Sequence, residues 1–194
     1  MKTIISFDCE TNGKIPGKHS MIQLGAVAFN MRGQELSHFV KNISPLPNST
    51  TNIEVMKWWK TQPEETWLLT QKNPVEARKA MRLFMDWMAQ FQKPLLAAAP
   101  VIMDGYWVRW YLEEFCPIVD DSFYNRALDV RSVVWALTGK FHGEWKDWVS
   151  AITGQTFVNP HPHYALADAR QQGQYLFSLL NWARRKGIRI NIDN

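Results

Sequence analysis

The chain has 194 residues, 46% hydrophobic and 21% charged, with 10 Gly, 10 Pro and 2 Cys. That usage fits one compact globular domain and excludes a disordered, fibrous or disulfide-stapled protein. The net charge of +4 is compatible with a polyanionic partner but also with many small-molecule enzymes.

In chain order, TIISF (3–7) predicts a buried β-strand ending at Asp8. After a Gly/Pro/Lys loop, MIQLGAVAFN (21–30) predicts a second strand, RGQE a turn and LSHFVKNI (36–43) a third. Residues 1–43 therefore read as an antiparallel meander. Residues 44–52, rich in Pro, Ser and Asn, read as a loop ending in a helix cap. Helices are expected over 53–60, 63–72 and 74–91, the last with Pro74 near its first turn and an apolar stripe including Ala77, Met81, Phe84 and Met88. PLLAAAPVI (94–102) predicts a buried strand, followed by helices over 104–115, over 128–139 with Gly139 as its stop, and over about 164–186. A meander followed by alternating helix and strand predicts a three-layer α/β domain with a sheet of mixed direction.

Cys9 and Cys116 form no spaced framework, which points to a reducing, cytoplasmic setting and away from a zinc ribbon. The N-terminus meets Asp8 too soon for the apolar region of a signal peptide. No apolar run approaches the roughly 18–20 residues of a membrane span. The basic group Arg184, Arg185, Lys186 and Arg189 reads first as the cation-rich end of the last helix. Of the 10 tryptophans, Trp58, Trp59, Trp87, Trp110, Trp135 and Trp182 sit in helical apolar patterns and are expected in the core; base stacking by a few of the ten is the alternative, and sequence alone does not pick them out.

Four acids and a histidine carry the chemistry. Asp8 and Glu10, spaced i, i+2 on a strand, point to one face about 6–7 Å apart. Asp104 follows an apolar strand and opens a helix, where a lone aspartate is an ordinary N-cap. Asp168 lies one turn into the last helix, five residues after His163. Each feature alone is common; jointly they describe converging carboxylates whose repulsion divalent cations would remove. Oxygen-only ligands favour Mg²⁺ or Mn²⁺ over zinc.

FDCET (7–11), Asp104 within AAPVIMDGYWVRWYL, and HYALADA (163–169) resemble the three motifs of the DEDDh 3′→5′ exonucleases, of the RNase H-like superfamily. MIQLGAVAF resembles the family's second strand, and ALDVRS a helix between its second and third motifs. WWKTQPEE resembles a Trp-Trp/Gln element of a compact bacterial and phage subgroup, some of whose members are linked to anti-phage operons. The resemblance spans nearly the whole chain. It implies one exonuclease domain over 1–194 with an RNase H-like three-layer fold: a mixed five-stranded sheet flanked by helices. Met103, where the family usually has Phe, and Ala99 or its neighbour, where many members have Asn, bear on packing and substrate contacts rather than metal ligation.

The resemblance further implies two ions, Mg²⁺ or Mn²⁺, with Asp8 bridging them. Glu10 and Asp168 would bind the water-activating ion, and Asp104 would hold the second through water. His163, with an ordinary pKa near 6.5, would be the general base, and Thr11 and Asn12 would contact the terminal nucleotide. Tyr164 stands at the spacing of the family's tyrosine branch. Adjacent helical positions differ by about 100°, so only one of the two can face the metals. The whole of HYALADA resembles the histidine branch.

The implied activity is 3′→5′ hydrolysis of single-stranded ends, DNA favoured by likeness, releasing nucleoside monophosphates. The alternatives are an exoribonuclease, a catalytically idle nucleic-acid-binding module of the same fold, and an RNase H-type endonuclease. The expected partners are single-stranded DNA or RNA 3′ ends, not a membrane. Oligomeric state stays open, a homodimer included.

Overall fold

A computed structural model of the protein describes residues 2–116, 127–140 and 144–189. The chain begins as the expected antiparallel meander: β1 (Thr3–Thr11), β2 (Met21–Asn30) and β3 (Glu35–Asn42). Three helices follow: α1 (Ile53–Trp59), α2 (Glu64–Gln71) and α3 (Ala77–Met88). Then come β4 (Leu95–Ala98), α4 (Val101–Phe115), β5 (Ala127–Asp129), α5 (Val130–Thr138), α6 (Trp145–Thr153) and α7 (Ala165–Arg185). The sheet order is β3-β2-β1-β4-β5, with β1, β4 and β5 parallel. This is the expected mixed five-stranded sheet of the RNase H-like architecture.

Both faces of β1 and β2 are covered, which is why their sequences are apolar almost throughout. On one face, Ile5, Phe7, Leu24 and Ala26 pack with Met81 and Phe84 of α3 and Trp107 and Tyr111 of α4. On the other, Ile4, Val27 and Phe29 pack with Leu166, Leu176 and Phe177 of α7. Val134 of α5 and Val149 of α6 cover the outer side of α7 at Tyr175 and Leu179. The three layers thus meet at β1.

Several boundaries differ from the sequence expectation. β1 does not end at Asp8: it runs to Thr11, because Asp8, Glu10 and Thr11 stay paired with Gly25, Gln23 and Met21 of β2. Pro74 lies before α3 rather than in it. Val75 instead exchanges backbone hydrogen bonds with Asn42 and Ser44, extending the edge of the sheet. β4 stops at Ala98, and α4 starts at Val101, so Asp104 lies inside the first turn rather than capping it. Residues 128–129 belong to a short strand, not a helix, and α6 was not anticipated. Trp59 and Trp87 are buried as expected, and Trp110 and Trp182 pack partly buried against the core. Trp58 and Trp135 are not core residues, at 40% and 52% exposure. Arg184 and Arg185 occupy the last turn of α7, where the helix dipole favours cations.

Candidate active site

Three elements bring acids to one place. Asp8 and Glu10 project from the same face of β1, while the side chain of Cys9 between them turns to the opposite core. Asp104 enters from the first turn of α4, where Oδ1 accepts the Cys9 backbone N–H at 3.3 Å and the Cys9 Sγ–H at 3.4 Å. Asp168 enters from the first turn of α7. Its Oδ2 accepts the His163 backbone N–H at 2.6 Å and its Oδ1 accepts Asn159 Nδ2 at 2.9 Å. Both helical acids sit where the dipole favours a negative charge. All four, with His163, line one cavity of about 680 Å³.

α7 reaches this close to the sheet because of glycines on both sides of the contact: Gly173 of α7, where a side chain would run into the Phe29 ring of β2, and Gly25 of β2. Gly25 stands beside Asp8 in the β1–β2 register, and a side chain there would run into the backbone of Ala165 and Leu166. Gln23, the neighbouring residue of β2 on the same face, accepts the Ala165 N–H through Oε1 at 2.7 Å and holds the start of α7 in place.

The electrostatics are those of crowded carboxylates whose few compensating donors do not offset burial. Burial pushes the Asp8 carboxyl well above its ordinary range, and the charges of Asp104, Glu10 and Asp168 push it further. Glu10 is raised by burial and then by Asp168 and Asp104. Asp104 is raised to about 6, chiefly by burial, against the hydrogen bonds from Cys9. Burial also raises Asp168, opposed by Lys146, His163 and Asn159. Glu10 is 7% exposed and its carboxylate accepts no hydrogen bond among the described residues.

These side chains fit a divalent cation. Glu10, His163 and Asp168 each offer a ligand atom, and those atoms lie within 4.8 Å of one another. A buried carboxylate without a donor is costly unless a cation or proton neutralises it.

His163 sits just outside α7 with φ of 64°, a left-handed conformation that a residue with a side chain rarely adopts. The bond from its N–H to Asp168 holds it there. Its ring packs edge-on against Trp58 of α1 at 4.7 Å, and burial lowers its pKa below the ordinary histidine value. Tyr164 instead packs against the Ile4–Leu176 core and is not among the residues lining the cavity.

Thr11 lines the cavity, with Oγ1 donating to Gly13 O at 2.8 Å. Asn12 does not. Its side chain is buried, and Oδ1 accepts the Ser20 N–H at 2.7 Å, which closes the loop after β1. Ala99 and Met103 line the cavity, Met103 at 60% exposure.

Sequence reasoning missed Gln172, whose Nε2 donates to Asp8 Oδ1 at 2.8 Å from one turn beyond Asp168. The i+4 spacing from Asp168 was the available signal. It also missed Asp129, which caps α5 through Ser132 N–H and accepts the Val101 N–H at 2.8 Å, fixing the start of α4. Asn159, Arg131 and Lys146 were likewise not singled out.

The motif acids, the histidine and the layer that carries them have a counterpart among known sequences. A protein-family model described as the 3′-5′ exoribonuclease Rv2179c-like domain matches residues 3–180. The chain belongs to that family. This Rv2179c-like chain is 25% identical over 190 residues to the 3′-5′ DNA exonuclease Cap18 of Escherichia coli, covering 91% of itself and 90% of the relative. Among solved structures it superposes on E. coli Exonuclease I in complex with a dT13 oligonucleotide, with a TM-score of 0.72 at 12% identity. That match covers 96% of this chain but 43% of the other, so the Rv2179c-like chain spans less than half of Exonuclease I. The Mg²⁺- and Mn²⁺-bound form of S. pombe Pop2p matches with a TM-score of 0.69 at 12% identity, over 97% of this chain and 86% of that one. At these identities the structural likeness speaks for the fold. Together with the family match it makes the chain a member of the RNase H-like 3′-5′ exonuclease superfamily. Among the described residues, no helix is long and apolar enough to cross a membrane.

Proposed function

We propose that the chain is a metal-dependent DEDDh 3′→5′ exonuclease that removes nucleoside monophosphates from single-stranded 3′ ends, with DNA preferred. One observation carries this: four mutually repelling carboxylates, Glu10 and Asp104 buried and Asp8 and Asp168 half-buried, line the same cavity as a histidine held at an unusual backbone angle. Asp8, Glu10, Asp104 and Asp168 would hold two Mg²⁺ or Mn²⁺ ions. When bound, two such ions polarise the phosphoryl oxygens, lower the pKa of water and stabilise the leaving oxygen.

The chain's own residues do the rest. His163 takes the proton of the attacking water on a ring nitrogen. Its lowered pKa leaves it neutral, and so able to accept, at neutral pH. The His163 N–H bond to Asp168 fixes where that ring can reach. Gln172 orients Asp8 by donating to one oxygen and leaving the other toward the cavity. Thr11 borders the terminal nucleotide, and Asn12 acts on it through the shape of the loop. In this reading residues 1–194 form one catalytic domain of the compact bacterial kind, working where Cys9 and Cys116 stay free thiols, as in the cytoplasm.

The likeness to a DNA exonuclease along nearly the full length of both chains favours DNA. A second reading, an exoribonuclease, is favoured by the description of the family itself. The deciding experiment uses one sequence made as DNA and as RNA, labelled at the 3′ or the 5′ end, with Mg²⁺, Mn²⁺ or EDTA. A ladder shortening from the 3′ end of DNA, absent in EDTA and absent on closed circles, is expected. Faster loss of RNA supports the second reading, and cutting of circles would replace both with an endonuclease.

A further inference from the structure

Arg131 and Lys146 line the acid cavity, yet nothing in the chemistry above uses them. Each stands in the first turn of its helix, α5 from Val130 and α6 from Trp145. The helix dipole disfavours a cation at that end. Neither is offset by a carboxylate ion pair among the described residues. Lys146 Nζ donates to the neutral Gln171 Oε1 at 2.6 Å and lies 5.8 Å over the Trp145 ring. Arg131 is exposed, and the nearby Asp129 has Oδ1 occupied by Ser132 and Oδ2 by the Val101 N–H. The Lys146 charge is close enough to act on both Asp168 and His163.

Trp135 follows Arg131 by one helical turn, which stacks the two along one face of α5. That face is outward, since Val130 and Val134 are the residues α5 buries. Trp135 is 52% exposed. The wall beside the acids therefore offers two cations and, one turn further out, an aromatic plane.

We propose that Arg131, Lys146 and Trp135 form the track for the strand upstream of the terminal nucleotide. Arg131 and Lys146 hold backbone phosphates, and Trp135 carries a base stacked on its ring. A single strand is the ligand whose negative charges alternate with flat apolar faces, as this wall requires. The contacts are to phosphates and ring faces, not base edges, so the track is tolerant of sequence and does not sense the 2′-OH. The proposal rests on the exonuclease reading of the same cavity.

The test compares a dinucleotide, too short to reach Trp135, with a hexanucleotide, in Mg²⁺ or Mn²⁺. For Trp135→Ala, KM for the hexanucleotide should rise about 5- to 150-fold, the range for loss of one base–aromatic stack, with kcat kept. The kcat/KM advantage of the hexanucleotide over the dinucleotide should shrink accordingly, and Trp135→Phe should restore most of it. Arg131→Gln, which stands in should Trp135→Ala not fold, should flatten the dependence of log KM on log salt by about 0.7, one phosphate contact on a single strand. Equal effects on both substrates, or none on the longer one, would overturn the track. If the wild type cuts neither substrate, the exonuclease reading falls instead. The track is then judged by fluorescence anisotropy of a labelled hexanucleotide in EDTA, which Trp135→Ala must still weaken.

Discussion

Glu10, without a donor on its carboxylate among the described residues, and Asp8, with one from Gln172, sit together at a cost to the stability of the fold. Replacing Asp8 by Asn keeps an oxygen for Gln172 but removes one repelling charge. Asp8→Asn should abolish nuclease activity while the melting temperature in EDTA holds or rises. A clear drop in that temperature would mean that the carboxylate stabilises the fold. The choice of base, His163 in the proposed function, is open to the same kind of test. His163 lines the cavity and Tyr164 packs into the core, so His163→Ala should slow cleavage by about 10²–10⁴-fold, the usual contribution of a general base. Tyr164→Phe should cost little. The reverse pattern, read in single-turnover rates, would assign the family's tyrosine branch instead.

At the scale of elements, the site depends on how closely α7 approaches β1 and β2; Gly173 sets that distance at Phe29, and Gly25 sets it at the start of α7 beside the acids. Gly25→Ala should lift the start of α7, moving Asp168, His163 and Gln172 together. Overpacking of this kind costs about 1–3 kcal/mol of stability. A displacement near 1 Å costs about 10²-fold in rate. Unfolding in urea alongside kcat would check both; unchanged kcat would show that the helix yields elsewhere. The elements meeting here were legible to different degrees. β1, β2 and α7 are long, and their apolar patterns match what they bury. The start of α4 is masked in the sequence because Val101, Ile102 and Met103 prolong an apolar run while being helical, and Ile102 and Met103 face out, at 81% and 60% exposure. Their apolarity therefore does not report the core. β5 is 3 residues long, too short to show a period. α6 carries Trp145, Val149 and Ile152 at helical spacing, a signal present but not drawn out of the surrounding aromatics. The acids and His163 were visible because motif and local context coincide. Gln172, Arg131 and Lys146 were not, because single polar residues on helices look like solvated faces until the fold turns them toward one cavity.

For the molecule as a whole, the carboxylate cluster links stability to pH and to metal. Unfolded Asp and Glu titrate at about 3.9 and 4.3. In the fold, Asp8, Glu10, Asp104 and Asp168 are all raised, Asp104 to about 6. Above pH 4 the folded chain therefore binds more protons than the unfolded chain, and the slope of unfolding free energy against pH is negative. Their contribution is full below the unfolded values and is lost as pH rises through the folded ones. His163, lowered by burial, works in the opposite direction just below its ordinary value, as one group against four. Glu35 is lowered by its hydrogen bonds from Arg170, so its contribution is lost only as pH falls below about 4, outside this window. Thermal unfolding in EDTA should accordingly show a melting temperature that falls between about pH 4 and pH 7. In the proposed function Mg²⁺ or Mn²⁺ would neutralise the same charges, so adding either at pH 7 should restore the loss, and by mass action the gain should grow with metal concentration. In Asp8→Asn both the pH slope and the metal-induced gain should shrink together, since one set of charges produces both. A metal response that survives that substitution while the pH slope disappears would separate the two effects and place the ion outside the carboxylate cluster.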